Sequence, residues 1–312
     1  MAWVAGPDRE VRREHLLISL VVVNYNSGAF LEHCVRTALP QVDQVIVVDN
    51  ASADDSVGVL LESFPNEPKL TVVRNAANLG FSVACNIGSE RANGDYVLFL
   101  NPDCRLDSAA VRTMTSVLES DASIGMVGGL LVNPDGTEQG GGRRAMPTPW
   151  RSFVRAFGLS RFANRWPRLF FDFHLHKQPL PATPIEVEAI SGACMLVKRT
   201  AMEDVGPWDE DYFLHCEDLD WCMRFRQKGW KVMFVPAARI THALGVCGRS
   251  RPVFVEWHKH KGMMRFYRKF FRHQYPGILM TLVMIGVWLR FGLVAAYYTA
   301  LRAKQALRLK RD

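Results

Sequence analysis

The sequence predicts an α/β domain with a mostly parallel central sheet, followed by a helical C-terminal region that associates with a membrane. Three observations support this: apolar runs alternate with helical patterns, polar residues follow the runs, and composition changes after residue 250. Strands buried on both faces of a sheet are apolar throughout, rather than at every second position. The continuous apolar runs therefore favour a sheet covered by helices on both sides.

The predicted elements alternate strand and helix along the N-terminal half. Apolar strands are predicted at residues 17–24, 44–52, 69–75, 95–103 and 124–133. Helices are predicted up to about residue 38 and at 54–63, 80–92 and 107–120. In such sheets ligands bind at the carboxyl ends of the strands. Polar residues stand at these ends: Asn24, Asp49, Asn50, Arg74, Asn75 and Asp103.

The composition narrows the class of protein. The 312 residues are 48% hydrophobic, enough for one large or two small domains, and carry a net charge of +7. Most of the positive excess follows residue 143, where it is mixed with aromatic residues, which favours anionic lipid or phosphate as a partner. We expect no nucleic-acid partner, because no helix-turn-helix, zinc-finger or RNP-like pattern is present.

Cysteine usage and the N-terminus indicate a reducing compartment. The seven cysteines include no C-x-x-C pair, so a disulfide scaffold or a structural zinc site is not expected. The first fifteen residues, MAWVAGPDREVRREH, are too charged for a signal peptide. We therefore expect the bulk of the chain in the cytoplasm.

Three segments lie outside the alternating pattern. Residues 134–185 lose periodicity, which is typical of a functional or mobile loop. Residues 253–273 mix aromatic and cationic side chains at helical spacing, as a membrane-surface helix does. Residues 277–301 are long enough to cross a bilayer, with Arg290 as their one charge. A span, an interfacial or re-entrant hairpin, and a buried core helix all remain open for this last segment.

Two carboxylates at strand ends are candidate ligands. Asp103, in LFLNPDC, follows a proline that fixes its turn and is well placed for a hard divalent cation; it could equally cap the next helix. Asp49, in VVDNASADDS, could accept hydrogen bonds from a base or sugar, or could simply belong to a turn and helix cap.

An acidic helix start and a histidine complete the candidate set. Glu217, Asp218 and Asp220 are stabilised by the helix dipole, and Asp220 can pair with Arg224. Adjacent acids point in different directions, so one could orient while the other acts as a general base. His242, in ITHALG, is either structural or a ligand.

Together these stretches resemble glycosyltransferase family 2, with its GT-A fold, and especially its rhamnosyltransferase-like branch. The resemblance covers about residues 17–245, and its motifs occur in order: VVVNYN, VVDNASADDS, NLGFSVACNIG, LFLNPD, SGACMLVKR, GPWDEDYFLHCEDLDWCMR and THALG. It implies a catalytic domain over residues 1–250 and a membrane-associating region over 251–312.

The resemblance also implies roles for individual residues. Asp218 matches the catalytic base, with Glu217 beside it. Asp103 matches the last acid of an Asp-x-Asp metal motif, and Asn101 replaces the first acid of that motif in this chain. His242 matches a position that helps bind the metal or diphosphate. The remaining matches line the nucleotide and donor pocket (Asn24, Asn26, Asp49, Asn50, Asn78, Asn86, Asn101) or form an acceptor and sugar loop (Gly192, Ala193, Trp221).

The implied reaction is a single inverting displacement assisted by Mg²⁺ or Mn²⁺. The resemblance favours L-rhamnose from dTDP-rhamnose as donor and a hydroxyl of a lipid-linked or cell-surface glycan as acceptor. A polyprenyl-diphosphate-linked acceptor at the cytoplasmic membrane face would fit the basic, aromatic C-terminal half, with the Arg143–Arg144 loop and the helix from His258 to Arg272 meeting its phosphates. Another hexose from a UDP or GDP donor is the alternative.

Other classes are less consistent with the sequence. Nucleotidyl transfer expects a glycine-rich basic loop after the first strand, where this chain has VVVNYNSG. A dinucleotide-dependent dehydrogenase expects G-x-G-x-x-G there, and it is absent. An inactive sugar-nucleotide-binding membrane protein would not need the acids at positions 49, 103, 217 and 218.

Overall fold

A computed structural model describes most of the chain. Two parts of the sequence interpretation lie outside the described residues: the charged N-terminal stretch 1–15 and residues 244–245 of the THALG motif. The described residues are 16–156, 158–163, 165–166, 168–170, 173, 175–243 and 251–309.

The described residues form eleven strands and nine α-helices, with three short 3₁₀ turns at 39–41, 159–162 and 175–177. The strands are β1 (Ile18–Asn24), β2 (Gln44–Asp49), β3 (Leu70–Arg74), β4 (Tyr96–Leu100), β5 (Cys104–Leu106), β6 (Ile124–Val132), β7 (Arg143–Arg144), β8 (Ile185–Glu186), β9 (Ala189–Ile190), β10 (Cys194–Lys198) and β11 (Lys231–His242). The helices are α1 (Phe30–Ala38), α2 (Ser56–Ser63), α3 (Phe81–Ser89), α4 (Ala110–Glu119), α5 (Pro149–Ala156), α6 (Arg199–Val205), α7 (Glu217–Gln227), α8 (Pro252–Phe271) and α9 (Gly277–Leu309).

The central sheet is mixed, in the order β3-β2-β1-β4-β10-β6-β11-β5, with β8 beside β11. Strands β1 to β4 pair in parallel, as predicted. Strand β10 then enters between β4 and β6 and runs antiparallel to both. The parallel arrangement expected from the apolar runs therefore holds for the N-terminal half, and β10 reverses direction beyond it.

Both faces of the sheet are buried, which explains the continuous apolar runs. Along β1, Val21 and Val23 pack into one hydrophobic core, while Leu20 and Val22 pack into the core on the opposite face. Successive side chains of a strand point to opposite faces, so two covered faces require an apolar residue at every position. Because β1 pairs in parallel with both β2 and β4, the carboxyl ends of these three strands meet at one edge of the sheet.

The segment between β6 and β10 is largely irregular, as expected for residues 134–185, but it contains β7, β8 and α5. Arg143 is buried, bonds Glu138 through Nε–Oε1 at 2.8 Å, and lies over the ring of Phe234. The expectation that Arg143 meets acceptor phosphates is therefore wrong, because the guanidinium is used inside the fold.

Helix α8 packs against the core beneath the sheet. Its residues Phe266, Tyr267 and Phe271 belong to the same hydrophobic core as strands β1 and β4, whereas Phe254 and Trp257 are 41% and 43% exposed, so protein covers the C-terminal half of the helix face expected to lie on a membrane. Packing thus joins α8 to the sheet, and the division at residue 250 remains a proposal about function.

Helix α9 is long and apolar enough to cross a membrane, by length and composition. Its segment Gly277–Arg302 has a mean hydropathy of 2.1, and only 6% of its most apolar window is buried. At 1.5 Å per residue it is about 39 Å long, more than the roughly 30 Å of a bilayer core. Arg290 extends towards α8, where its Nη1 lies 3.4 Å from Nε2 of His260.

Candidate active site

The buried ends of β1 and β2 bring together residues that were predicted to line a nucleotide pocket. Asn24 donates through Nδ2 to Asp49 Oδ1 at 2.8 Å and to Ser56 Oγ at 2.9 Å. Ser52 donates to the same Asp49 oxygen at 2.5 Å through its hydroxyl, and its N–H donates to Oδ2 at 3.2 Å. Parallel pairing sets Asn24 opposite Asp49, which brings the two polar side chains together.

Asn26 and Asn50 shape the loops around this pocket. Asn26 has a φ of 50°, and its Oδ1 accepts from the N–H of Ala53 at 2.7 Å. Asn50 is buried and donates to the carbonyl of Gly80 at 3.0 Å, while accepting from Asn75 Nδ2 at 2.8 Å. Asparagine tolerates positive φ better than most residues, which suits it to the turn after β1.

Asn78 and Asn86 hold the backbone of the donor-side loop. Asn78 accepts from the N–H of Gly80 at 3.0 Å, in a turn where Gly80 has a φ of 90°. Asn86 accepts from Trp208 N–H and donates to its carbonyl, both at 3.0 Å. The amide of Asn86 therefore fastens α3 to the segment that precedes α7.

Asp103 and His242 meet across the pairing of β5 with β11. His242 lies opposite Cys104 in the register, and its Nε2 is 3.1 Å from Asp103 Oδ1. Both side chains are buried: 8% of the His242 side chain and 5% of the Asp103 side chain are exposed. Across the described residues, Asp103, Cys104 and His242 place ligand atoms within 4.8 Å of one another.

The donor atoms fit a divalent cation. Gln139 donates through Nε2 to Asn133 Oδ1 at 3.0 Å and to the His242 carbonyl at 3.3 Å, so its Oε1 accepts from His242 Nδ1 at 2.6 Å. This network places a proton on Nδ1 and turns Nε2 towards Asp103. The 3.1 Å between Nε2 and Asp103 Oδ1 suits two ligands of one cation, as well as a hydrogen bond from an imidazolium to the carboxylate. Burial raises the pKa of Cys104 well above its usual value, so the thiol is a poor ligand beside them.

Asp218 lies in the first turn of α7 and is paired with Arg144. Nη2 of Arg144 forms an ion pair with Asp218 Oδ2 and donates to the Ile190 carbonyl at 3.1 Å. Gly192 N–H donates to the same Asp218 oxygen at 3.2 Å. Burial lowers the pKa of Arg144, but the charge and hydrogen bond of Asp218, together with smaller effects of Cys222 and Cys216, raise it above its usual value.

A strained turn directs this carboxylate. His215 and Cys216 adopt φ values of 67° and 72°, which are unfavourable for residues other than glycine. Helix α7 begins immediately after them, at Glu217. A side chain on Gly192 would place its Cβ 3.3 Å from the Asp218 Cβ, so the glycine allows the loop to approach closely.

Glu217 is buried away from the ion pair. Burial, followed by the charge of Asp218, raises the pKa of Glu217 to about 8. Its Oε2 has no hydrogen-bond partner among the described residues. At neutral pH it is therefore largely protonated, which keeps a second charge away from Asp218.

The loop after β9 links the two halves of the site. Asn101 N–H donates to the carbonyl of Ala193 at 3.0 Å, and the neighbouring Gly192 contacts Asp218. Thus Gly192 and Ala193 lie between Asp218 and the turn in which the half-buried Asn101 is next to Asp103, and their role as a sugar-facing loop stays a prediction.

Trp221 does not belong to this loop. It is fully buried, stacks at 4.2 Å on Trp208 and donates to the Gly206 carbonyl at 3.0 Å. Its position on α7 turns it into the core, away from the loop with which it was grouped.

Three contacts of the candidate site were not predicted from the sequence. Arg144, which was expected at the acceptor phosphates, pairs with Asp218. Gln139 bonds His242, and Ser52 bonds Asp49. Only Ser52 carried a local signal, since it lies within the VVDNASADDS motif.

Curated relatives are sugar transferases. The chain is 28% identical over 240 residues to N-acetylglucosaminyl-diphospho-decaprenol L-rhamnosyltransferase of Mycobacterium tuberculosis (strain ATCC 25618 / H37Rv), covering 72% of this chain and 76% of the relative. It is 23% identical over 221 residues to the low-salt glycan biosynthesis hexosyltransferase Agl10 of Haloferax volcanii, covering 68% of this chain and 62% of the relative.

Solved structures share the fold. The mannosyltransferase PcManGT from Pyrobaculum calidifontis, in complex with GDP-Man and Mn²⁺, matches 98% of this chain and 79% of its own, with a TM-score of 0.57 and 17% identity. GalNAc-T7 with UDP, GalNAc and Mn²⁺ matches 74% of this chain with a TM-score of 0.55 and 17% identity, and the match spans 44% of that structure.

Family models match most of the chain. The model described as glycosyl transferase family 2 matches residues 19–206, and that described as glycosyl transferase family group 2 matches residues 140–304. The first contains the strand ends and the predicted metal motif. The chain therefore belongs to glycosyl transferase family 2 and is a glycosyltransferase.

Proposed function

We propose that the enzyme transfers L-rhamnose from a nucleoside-diphosphate donor, dTDP-rhamnose, to a hydroxyl of a polyprenyl-diphosphate-linked saccharide, with inversion. The observation that supports this best is the 191–193 loop, whose Gly192 N–H meets Asp218 while its Ala193 carbonyl meets the turn of Asn101 and Asp103. A base and a leaving-group site on one loop suit an in-line displacement. The relative from Mycobacterium tuberculosis, by its name, acts with L-rhamnose and a decaprenol diphosphate.

In this mechanism Asp218 accepts the proton of the acceptor hydroxyl, which then attacks the anomeric carbon. Arg144 and the Gly192 N–H hold the carboxylate in place. Asp49 and its serine neighbours bind the nucleoside end of the donor. Asp103 and His242 would hold a divalent metal, Mg²⁺ or Mn²⁺, which supplies Lewis-acid stabilisation of the departing diphosphate.

The proposed location is the cytoplasmic face of a membrane. It rests on α9, with its exposed apolar surface, and on the lipid-linked acceptor of the relative. The acceptor would then reach the site from the bilayer side.

A panel of nucleotide sugars tests the donor. Purified enzyme is screened by thermal shift with each sugar, with and without Mn²⁺ or Mg²⁺, because a bound donor raises the apparent stability. We expect the largest metal-dependent shift from dTDP-rhamnose. A larger shift from a UDP- or GDP-hexose would replace rhamnose by that sugar, and turnover assays with the selected donor then separate an enzyme from an inactive binder.

A further inference from the structure

An open cleft of about 660 Å³ lies between the irregular segment and the start of α9. It combines aromatic and cationic side chains, which is unlike the apolar cores on either side of the sheet. Its lining residues are Thr148, Trp150, Arg151, Arg168, Leu169, Glu188 and Tyr275.

Among its described lining residues, the cleft carries one uncompensated positive charge. Arg151 bonds Glu188 at both oxygens, through Nη1 at 2.7 Å and Nη2 at 3.1 Å, so these two charges balance. Arg168 is exposed and has no ion-pair partner among the residues that the structure describes. Trp150 donates to the Leu169 carbonyl at 2.7 Å, which holds the wall beside Arg168 in place. The positive charge of Arg168 therefore favours an anionic ligand.

The cleft is close to the proposed base. Arg144 pairs with Asp218, and four residues later Thr148 lines the cleft. Four extended residues span at most about 14 Å, which limits the separation of the two Cα atoms. Met146 N–H donates to Glu188 at 2.6 Å, which ties the connecting chain to the wall of the cleft. The Arg144 side chain and four residues of backbone therefore connect Asp218 to the cleft.

The cleft also lies between exposed apolar surfaces. On one side, Trp150, Phe153 and Trp166 are 39%, 36% and 51% exposed, and Trp150 stacks on Phe153. Helix α9, which begins two residues after the lining residue Tyr275, exposes Ile278 and Leu282 at 80% and 60%. Aromatic residues beside arginines are typical of the membrane interface, which is the depth of lipid phosphates.

We propose that this cleft binds the diphosphate of the lipid-linked acceptor, with Arg168 as its principal ligand. The proposal rests on the proposed function, since it assigns the acceptor of that reaction a site. The saccharide extends from the cleft towards Asp218, and the polyprenyl chain leaves along α9.

Binding of farnesyl diphosphate tests the cleft without turnover. The full chain in non-ionic detergent is titrated calorimetrically with farnesyl diphosphate, farnesol and inorganic diphosphate, in EDTA so that no metal at Asp103 binds the diphosphate. We expect Arg168→Gln to weaken farnesyl diphosphate binding about tenfold through loss of a charge-assisted hydrogen bond, and to leave farnesol binding unchanged. Arg168→Lys should retain most of the affinity.

The matched control is Arg165→Gln, an exposed arginine of the same segment that does not line the cleft; it should bind as the wild type does. Equal weakening by both glutamine variants, or by neither, would overturn the proposal. So would equal affinity for inorganic and farnesyl diphosphate, because the site would then not select a lipid. A wild-type enzyme that binds farnesyl diphosphate through Arg168 but transfers no sugar would instead refute the proposed function alone.

Discussion

At the scale of single residues, Asp218 is held by three donors before any substrate arrives. Arg144 and the Gly192 N–H both engage Oδ2, which leaves Oδ1 with the Leu219 N–H at 2.8 Å. A carboxylate fixed in this way keeps its orientation. The arrangement suits a base whose acceptor hydroxyl is delivered to a defined position.

Replacing the proposed base separates chemistry from binding. Asp218→Asn should lower kcat by about 10²–10⁴-fold, because the amide cannot accept the acceptor proton. Nucleotide affinity, measured by calorimetry, should stay within about twofold, since Asp49 and its partners are untouched. Asp211→Asn, at an exposed acid, serves as the control with unchanged kcat. Loss of nucleotide binding in Asp218→Asn would indicate a structural role instead.

The raised pKa of Glu217 predicts that the free energy of unfolding depends on pH. Its pKa is raised from 4.5 to about 8, so between these values the folded chain holds a proton that the unfolded chain has lost. The contribution of Glu217 to the free energy of unfolding is therefore complete below pH 4.5. It falls as the pH rises to 8, by at most about 1.4 kcal/mol per pH unit.

Urea unfolding at pH 6 and pH 8 measures this slope. The free energy of unfolding should fall more steeply with pH in the wild type than in Glu217→Gln, because groups common to both cancel in the difference. Parallel slopes would show that Glu217 is ionised in the folded enzyme at neutral pH.

The residues at strand ends were predictable, but their partners were not. Asp49 and Asp103 follow apolar runs, so their meeting at one sheet edge follows from parallel pairing. Arg144 is 74 positions from Asp218, and Gln139 is 103 from His242. Such contacts depend on how an irregular segment folds back, which no local pattern encodes.

At the scale of elements, ion pairs fasten α8 to the catalytic helix α7. Asp220 is fully buried and contacts Arg224 Nε on its own helix and Lys269 Nζ on α8, both at 2.7 Å. The Asp220–Arg224 pair was expected from their spacing, whereas Lys269 was assigned to a membrane-facing helix. Helical periodicity predicts pairs within a helix but not the neighbour that covers it.

Asp220→Asn should therefore destabilise the enzyme by about 3 kcal/mol, because it breaks a buried pair and leaves cations uncompensated. Asp211→Asn is the matched control. Its carboxylate pairs with Arg265 Nη2 at 2.6 Å but is 70% exposed, so we expect a loss below about 1 kcal/mol. Chemical denaturation of the three proteins measures both values, and equal losses would refute the buried-pair explanation.

Strand β10 shows why the sheet direction could not be predicted. The run SGACMLVKR reads as a buried strand in either direction, since apolar residues cover both of its faces. Its direction is set by the irregular segment before it, whose path is determined by contacts such as the Arg143–Glu138 pair.

At the scale of the whole molecule, α9 forms an apolar surface beside the proposed acceptor cleft. Leu289 and Leu293 are 65% and 75% exposed, whereas Arg290 between them extends towards His260. The charge of Arg290, which is unfavourable in a membrane-spanning helix, is therefore directed towards α8. This leaves one side of α9 free of charge near its centre.

Two lysines on this surface should detach the enzyme from membranes. Leu289→Lys with Leu293→Lys adds about 3 kcal/mol per site to insertion, and both side chains are exposed, so the fold should persist. In detergent-free fractionation we expect the wild type in the membrane pellet and the double variant in the supernatant. Leu61→Lys, at an exposed leucine of α2, should stay in the pellet. A soluble wild type would refute membrane association.

The pairing of Asp220 with Lys269 has a consequence for biosynthesis. A ribosome adds about 5–20 residues per second, so α7 emerges several seconds before Lys269 can reach it. Gly262 is also late, although its α-carbon packs so closely on the turn before α7 that a Cβ there would lie 2.6 Å from the His215 carbonyl. Helix α7 therefore completes its packing only after α8 has been translated, and the apolar helix α9 follows immediately along the chain.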